Sequence, residues 1–289
     1  MKKSVVLSLA IIMCLVAVTG SIAYFTDSIT AQGQIESGNL DIEQYEFERI
    51  KDENGSYTTA LREYVQHQVL YPCMLPADLN DNPHRTEPTE FSYTAESTST
   101  IPELTFTAAL RDDSIRGFVD KIVVVKNEGS LNNYVRTFVA IPTSFDQAVV
   151  LDWNTAYWTL TAAALEDVIT AEKHQINQVP YTIYCATYKK ALTPGEVAPP
   201  SLLGYYLKPE VDRNSTGYIL KTDAGTARLG TEKELKILVA TEAAQVIPTG
   251  IEHEMHDTPE AAMAKTYPTA GHHPWQPKTD ESDNKNTGK

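Results

Sequence analysis

Metal binding and acid–base chemistry need imidazoles, carboxylates or thiols held close together, and the densest such cluster in the chain is EHEMHD at residues 252–257. His253, Glu254, His256 and Asp257 could supply ligands and a base within one turn. A zincin helix places two His four residues apart, with a Glu beside the first, so that both rings share one face. Here the two His are three apart and precede a helix start at Thr258, so exposed polar loop is the better account. His253, Glu254 and His256 stand as the metal candidates. His272 and His273 lie in a polar tail that cannot preorganise a site.

Two stretches imitate ligand loops without completing them. GTARLGT (225–231) has the glycine spacing of a phosphate loop, but Gly230 is followed directly by Thr231, so the lysine that would meet phosphate is missing. It reads as a turn between strands. DLNDNPHRTEPTE (78–90) places Asp78, Asn80 and Asn82 at calcium-loop spacing, yet Pro83 replaces the glycine and Thr89 stands where the bidentate Glu belongs. With no Ser elbow, Cys/His pair or dinucleotide fingerprint either, the expectation is a protein that is not an enzyme and takes no cofactor.

The elements that would position any site come next. The 289 residues, 42% of them hydrophobic, suffice for one large domain or two small ones. With 24 Lys+Arg against 38 Asp+Glu, the chain has no electrostatic reason to seek nucleic acid. Lys2 and Lys3 precede an apolar run, Val5 to Val18, in the pattern of a signal peptide. Ser21 and Ala23 occupy the −3 and −1 positions, so cleavage is expected between Ala23 and Tyr24. An uncleaved anchor from Ser4 to Ala23 is the alternative, being just long enough to span. Cleavage leaves 22 basic against 38 acidic residues, a net of −16, and removes Cys14. Cys73 and Cys185 remain, too few for a disulfide-stapled scaffold, and they are expected as separate thiols.

Stretches rich in Val, Ile, Thr, Tyr and Phe recur at 103–110, 117–127, 132–142, 179–192, 202–209 and 235–245, with no alternating helix rhythm. The fold class expected is all-β, an antiparallel jelly-roll-like β-sandwich with one or two short peripheral helices. Those helices are TAAALEDVITAEKHQ (161–175), with Leu165, Val168 and Ile169 at helical spacing, and TPEAAMAKTY (258–267), with Thr258 as N-cap and Pro259 in the first turn. Residues 54–99 are loop-rich, with one possible strand at 61–70. The sandwich spans 43–268, and the tail, 269–289, has almost nothing to bury and is expected to be disordered. In KNEGSLNN, Asn127, Gly129 and Ser130 are expected to form a turn, Gly129 supplying a positive φ and Asn127 a side-chain bond. Tyr134, Arg136 and Phe138 should face one way and Val135, Thr137 and Val139 the other, both faces covered.

AYFTDSITAQGQIESGNLDI (23–42) resembles the start of the TasA/camelysin family of exported Gram-positive proteins. The segments VVVKNEGSLNNYVRTFVAIP (123–142), LTPGEVAPPSLLGYYLKPEVD (192–212) and KILVATEAAQVIPTGIE (236–252) resemble its BsaA-like biofilm matrix branch. The resemblance implies processing by a SipW-type signal peptidase and secretion to the cell surface or extracellular matrix. It further implies a jelly roll that polymerises with copies of itself into fibres, the N-terminal strand of one subunit completing the sheet of the next. Other matrix or surface components are possible partners. Within residues 24–42, Ile29, Ile35, Leu40 and Ile42 are the side chains that would fill a neighbour's pockets. The same segment could instead fold back as the first strand of its own domain. The family's metallopeptidase label and a monomeric adhesin presenting residues 54–99 are the alternative functions.

Overall fold

The structure is a computed structural model, and it describes residues 39–54, 57–65, 70, 90–95, 104–109, 117–161, 165–169, 179–231, 234–246 and 258–276. The fold over these residues is all-β, with several antiparallel sheets and one short helix. Its first sheet is β2-β1-β6, formed by Ile42–Lys51 (β1), Tyr57–Glu63 (β2) and Ile122–Asn127 (β6). Glu90–Ala95 (β3) and Leu104–Ala109 (β4) form a separate hairpin. Val119–Asp120 (β5) leads into β6 and belongs to the sheet β5-β12-β8, with Val149–Trp153 (β8) and Leu202–Leu207 (β12).

The third sheet has the order β10-β11-β7-β16, built from Asn133–Pro142 (β7), Leu165–Ile169 (β10), Val179–Tyr188 (β11) and Leu238–Gln245 (β16). Trp158–Leu160 (β9) also pairs with β11. Val211–Asn214 (β13), Gly217–Thr222 (β14) and Gly225–Gly230 (β15) form a three-stranded meander. The stretch 196–203 joins the first two sheets by running along β6: Ala198 N–H donates to the Val125 carbonyl at 2.8 Å and Ser201 N–H to the Val123 carbonyl at 2.9 Å.

Alternation sorts the side chains. Val123 and Val125 of β6 enter the main core with Val135 and Val139 of β7, while Ile122 and Val124 turn to the opposite face. There they meet Tyr45, Phe47 and Phe106, so the β3–β4 hairpin covers the back of the first sheet. The strand β7 is apolar on both sides, as expected: Val135 and Val139 face the main core, and Phe138 packs with Tyr181 and Ile183 on the other face.

The expected helix at 258–267 is present as Pro259–Thr266 (α1), with Thr258 Oγ1 accepting from Ala261 N–H at 3.2 Å. The helix expected over 161–175 is not. Residues 158–160 and 165–169 are strands on β11, with Leu165 opposite Ile183 and Ile169 opposite Val179. Sheet pairing gives Val168 and Ile169 a backbone their branched Cβ atoms prefer, and this outweighs the alanine-rich propensity. GTARLGT is likewise not a turn: residues 225–230 are β15, and the turn precedes them. The loop-rich 54–99 region contributes two strands, β2 at 57–63 and β3 at 90–95. Residues 271–276, placed by the sequence in a disordered tail, are folded against the third sheet, because Trp275 does have something to bury against, the cluster around Phe138.

Candidate functional site

Ahead of β1, the first described residues are held closely against the turn that follows β6. The strand β1 pairs with β6 from Ile42 opposite Asn127 to Phe47 opposite Ile122. Just before it, Asn39 and Asp41 lie against the turn that follows β6. Asn39 N–H donates to Ser130 Oγ at 2.8 Å, and the Asn39 carbonyl accepts from Ser130 N–H at 2.9 Å. The Asp41 carbonyl accepts from both Glu128 N–H at 3.1 Å and Gly129 N–H at 3.0 Å.

The turn is rigid because Asn127 holds it from behind. Its Oδ1 accepts from Gly129 N–H at 3.0 Å, and its Nδ2 donates to the carbonyls of Leu131 at 2.8 Å and Leu192 at 3.1 Å. A fully buried carboxamide satisfied on both sides pins the loop to β7 and to the strand ends beyond it. The expected role of Asn127 is therefore observed. That of Gly129 is corrected: it is not among the glycines at positive φ. Glycine is needed there for space, since a Cβ would sit 2.3 Å from the Asn39 carbonyl oxygen and 2.7 Å from Asp41 N.

Of the candidate donor residues, Leu40 and Ile42 pack against the main core of their own domain. For these two, the fold-back arrangement holds. Ile29 and Ile35 lie outside the described residues, as do Ala23 and Tyr24. So do His253, Glu254 and His256, the calcium-like loop and Cys73. Among the described residues no group of three or more His, Cys, Asp or Glu is arranged to hold a metal. Among them, too, no helix is long and apolar enough to cross a membrane.

Three ionic clusters went unread in the sequence. Arg49 and Asp120 form a buried pair between β1 and β5. Lys121 meets Glu46 and lies 3.9 Å from the centre of the Tyr64 ring, whose hydroxyl is 2.8 Å from that of Tyr205. Burial pushes the Tyr64 phenol up to about 12 and Tyr205 well above its ordinary value. On the third sheet, Glu242 receives Arg136 at 2.8 Å and His272 at 2.7 Å, with Tyr267 stacked on His272. The alternation in QYEFER (44–49) puts Glu46 and Glu48 on one face of β1 and Tyr45 and Phe47 on the other, which was a signal for the charges on that strand but not for Arg49, which shares the aromatic face.

Comparison with protein-family models, curated proteins and solved structures finds no match to this chain.

Proposed function

We propose that this protein is a secreted structural subunit with a jelly-roll β-sandwich, which polymerises into extracellular matrix fibres by donating its N-terminal strand to the next subunit. The observation that carries the reading is the grip on Asn39 and Asp41. Asn39 and Asp41 are hydrogen-bonded to residues 128–130, and the segment that precedes them in the sequence is β-prone and would be freed by signal-peptide cleavage. Because Leu40 and Ile42 already fill their own core, the donated side chains in this reading are Ile29 and Ile35. An incoming strand also needs an edge. Among the described residues β8 pairs only with β12, leaving one long side for main-chain hydrogen bonds, whereas the outer side of β16 already takes Tyr267 at its Ala243 carbonyl.

Electron microscopy of the mature chain, starting at Tyr24, tests the reading. Filaments that lengthen with protein concentration are expected, and the Ile35→Pro variant should stay folded and monomeric because it loses a ladder donor and an anchor together. A proline variant that polymerises like the parent removes strand donation. Intact Met1 on membrane-bound material removes the cleaved-signal reading.

A further inference from the structure

An unpaired strand edge is a template for another strand, and folded proteins guard most of theirs with charge, proline or cover. The meander edges β13 and β15 carry Arg213 and Arg228, and the outer side of β16 takes Tyr267 at its Ala243 carbonyl. The strand β8 reads VVLDW, with no Lys, Arg or Pro. Its neighbours settle which way its main chain points. The Ala148 carbonyl accepts from Lys208 N–H at 2.9 Å and Asn154 N–H donates to the Ser201 carbonyl at 2.9 Å, with Val150 opposite Tyr206 and Asp152 opposite Gly204. Even-numbered residues therefore turn their main-chain groups to β12, and Val149 and Leu151 turn theirs outward. Among the described residues nothing hydrogen-bonds to these two on that side. The edge is held in place from within, because Val149 and Trp153 are buried in the main core and Leu151 packs against it.

We infer that β8 is a self-pairing edge: two copies of the chain join antiparallel, β8 to β8, across a two-fold axis at Val150. In this register Val149 of each copy faces Leu151 of the other. Two hydrogen bonds form in each of these two pairs, which uses every outward N–H and C=O of Val149 and Leu151 and leaves none over. On the outer face, Val150 meets Val150 of the second copy and extends the apolar cluster it forms with Phe118 and Tyr206. Asp152 falls opposite Ala148 of the second copy, so like charges are not opposed. The register centred on Leu151 is poorer. It would pair Val149 with Trp153, whose carbonyl already accepts from Thr155 N–H at 2.9 Å.

An edge of five residues buries far less than the roughly 1,000 Å² of a stable interface, so the pair is weak and forms at hundreds of micromolar, the chain being a monomer in dilute solution. The net charge of −14 opposes association, and added salt should favour it by screening. The inference needs no exported arm and does not rest on strand donation. Where both occur they compete, since a β8 edge paired with its copy is closed to an incoming strand.

The register gives the test. In an antiparallel ladder Val150 and its copy form a non-hydrogen-bonded pair, with Cα atoms about 4.5 Å apart, inside the range a disulfide bridges. The two copies of Asp152 are four residues apart along the strands, about 13 Å, and outside it. In a Cys73→Ser background of the mature chain, Val150→Cys in oxidised glutathione at roughly 0.5 mM protein should give disulfide-linked dimers on non-reducing electrophoresis, at least about tenfold more than Asp152→Cys. Leu151→Pro removes an outward N–H and none that β12 uses, so added to Val150→Cys it should cut the yield about tenfold while the thermal midpoint shows the domain still folded. Equal capture at positions 150 and 152, or none at 150, overturns the inference, as does a folded Leu151→Pro variant captured like its parent. Should that variant unfold, the contrast between the two positions decides alone. Filaments without capture at 150 remove β8 pairing and leave strand donation standing, and capture without filaments does the reverse.

Discussion

Arg49 and Asp120 are joined by a two-pronged ion pair inside the protein, Nε to Oδ2 at 2.7 Å and Nη2 to Oδ1 at 2.8 Å, with side chains 4% and 1% exposed. The Asp120 carboxylate also accepts from the Arg49 N–H at 3.0 Å, and the Tyr57 ring lies 4.0 Å from the guanidinium. Two desolvated charges in this geometry roughly offset their own burial cost, so the pair adds little net stability while being expensive to break. Asp120→Ala should cost about 3–5 kcal/mol in urea unfolding, because it strands a buried guanidinium. The double variant Arg49→Met, Asp120→Leu should recover most of that loss. A cost below about 1 kcal/mol for Asp120→Ala would mean that the pair is solvated in solution.

The first and third sheets are linked through their shared core by a chain of polar side chains. Thr241 Oγ1 donates to Gln44 Oε1 at 2.7 Å and lies 3.2 Å from Thr137 Oγ1, all three residues being buried. Removing one partner leaves the other unsatisfied, so Thr241→Val should destabilise by about 1–3 kcal/mol. Gln44→Leu in the same background should cost less than it does alone. A double-mutant cycle reads the coupling, and strictly additive losses would show that the two groups do not depend on each other.

How far the sequence carried the fold follows from which forces are local. The segments 117–127, 132–142, 179–192 and 202–209 were legible as strands because β-branched and aromatic residues are dense within each. Thr258 and Pro259 announced α1 by themselves. Residues 165–169 misled because Leu165, Val168 and Ile169 satisfy a helical period as well as an edge strand, and only the presence of β11 decides between them. Gly129 was read as a turn glycine, whereas its constraint comes from Asn39, 90 positions earlier in the chain. Leu40 and Ile42 were recognisable as buried, but alternation cannot say whose core they fill. The ion pairs of Arg49 and Glu242 join residues 71 and 106 positions from their partners, beyond any local pattern.

Alkaline pH should weaken the fold through its buried phenols. An unfolded tyrosine loses its proton near pH 10, while in the folded protein burial, followed by nearby Glu46 and Glu48, holds Tyr64 protonated up to about 12, despite the opposing hydrogen bond from Tyr205. Above pH 10 the unfolded chain therefore binds fewer protons than the folded one, and stability falls as pH rises; below pH 10 these groups contribute no pH dependence. Urea midpoints measured from pH 8 to 11.5 should be flat and then decline, with a shallower decline in Tyr64→Phe. An identical decline in that variant would assign the effect to other residues.

The C-terminal strap should contribute to stability. Trp275 meets Phe138 edge-on with ring centres 6.5 Å apart, and Tyr267 donates its hydroxyl proton to the Ala243 carbonyl at 2.9 Å. Burying part of an indole is worth about 1–2 kcal/mol, so Trp275→Ala should lower the thermal midpoint by a few degrees. It should also increase binding of an apolar dye as the face around Tyr181 and Ile183 opens. A midpoint unchanged by Trp275→Ala would place residues 271–276 off the sheet in solution.

Cys185 tests the closure of the same face by chemistry. Its thiol packs against the Phe138 cluster, and burial pushes its pKa up to about 11, against the smaller opposing pull of Arg136 and a hydrogen bond from Thr161, with Glu242 adding to the rise. Only the thiolate reacts with iodoacetamide, so at pH 8 a pKa near 11 in place of about 8.5 lowers the reactive fraction by roughly two orders of magnitude, and steric cover lowers the rate further. In a Cys73→Ser background, labelling of the mature chain at pH 8 should be at least about a hundredfold slower than in urea, and should accelerate close to tenfold per pH unit up to pH 10. Trp275→Ala should speed native labelling without changing the rate in urea, since that substitution removes cover and leaves the unfolded thiol as it was. Native labelling as fast as in urea would show that the strap and the third sheet part on the timescale of the reaction, and the buried assignment of Cys185 would fall with it.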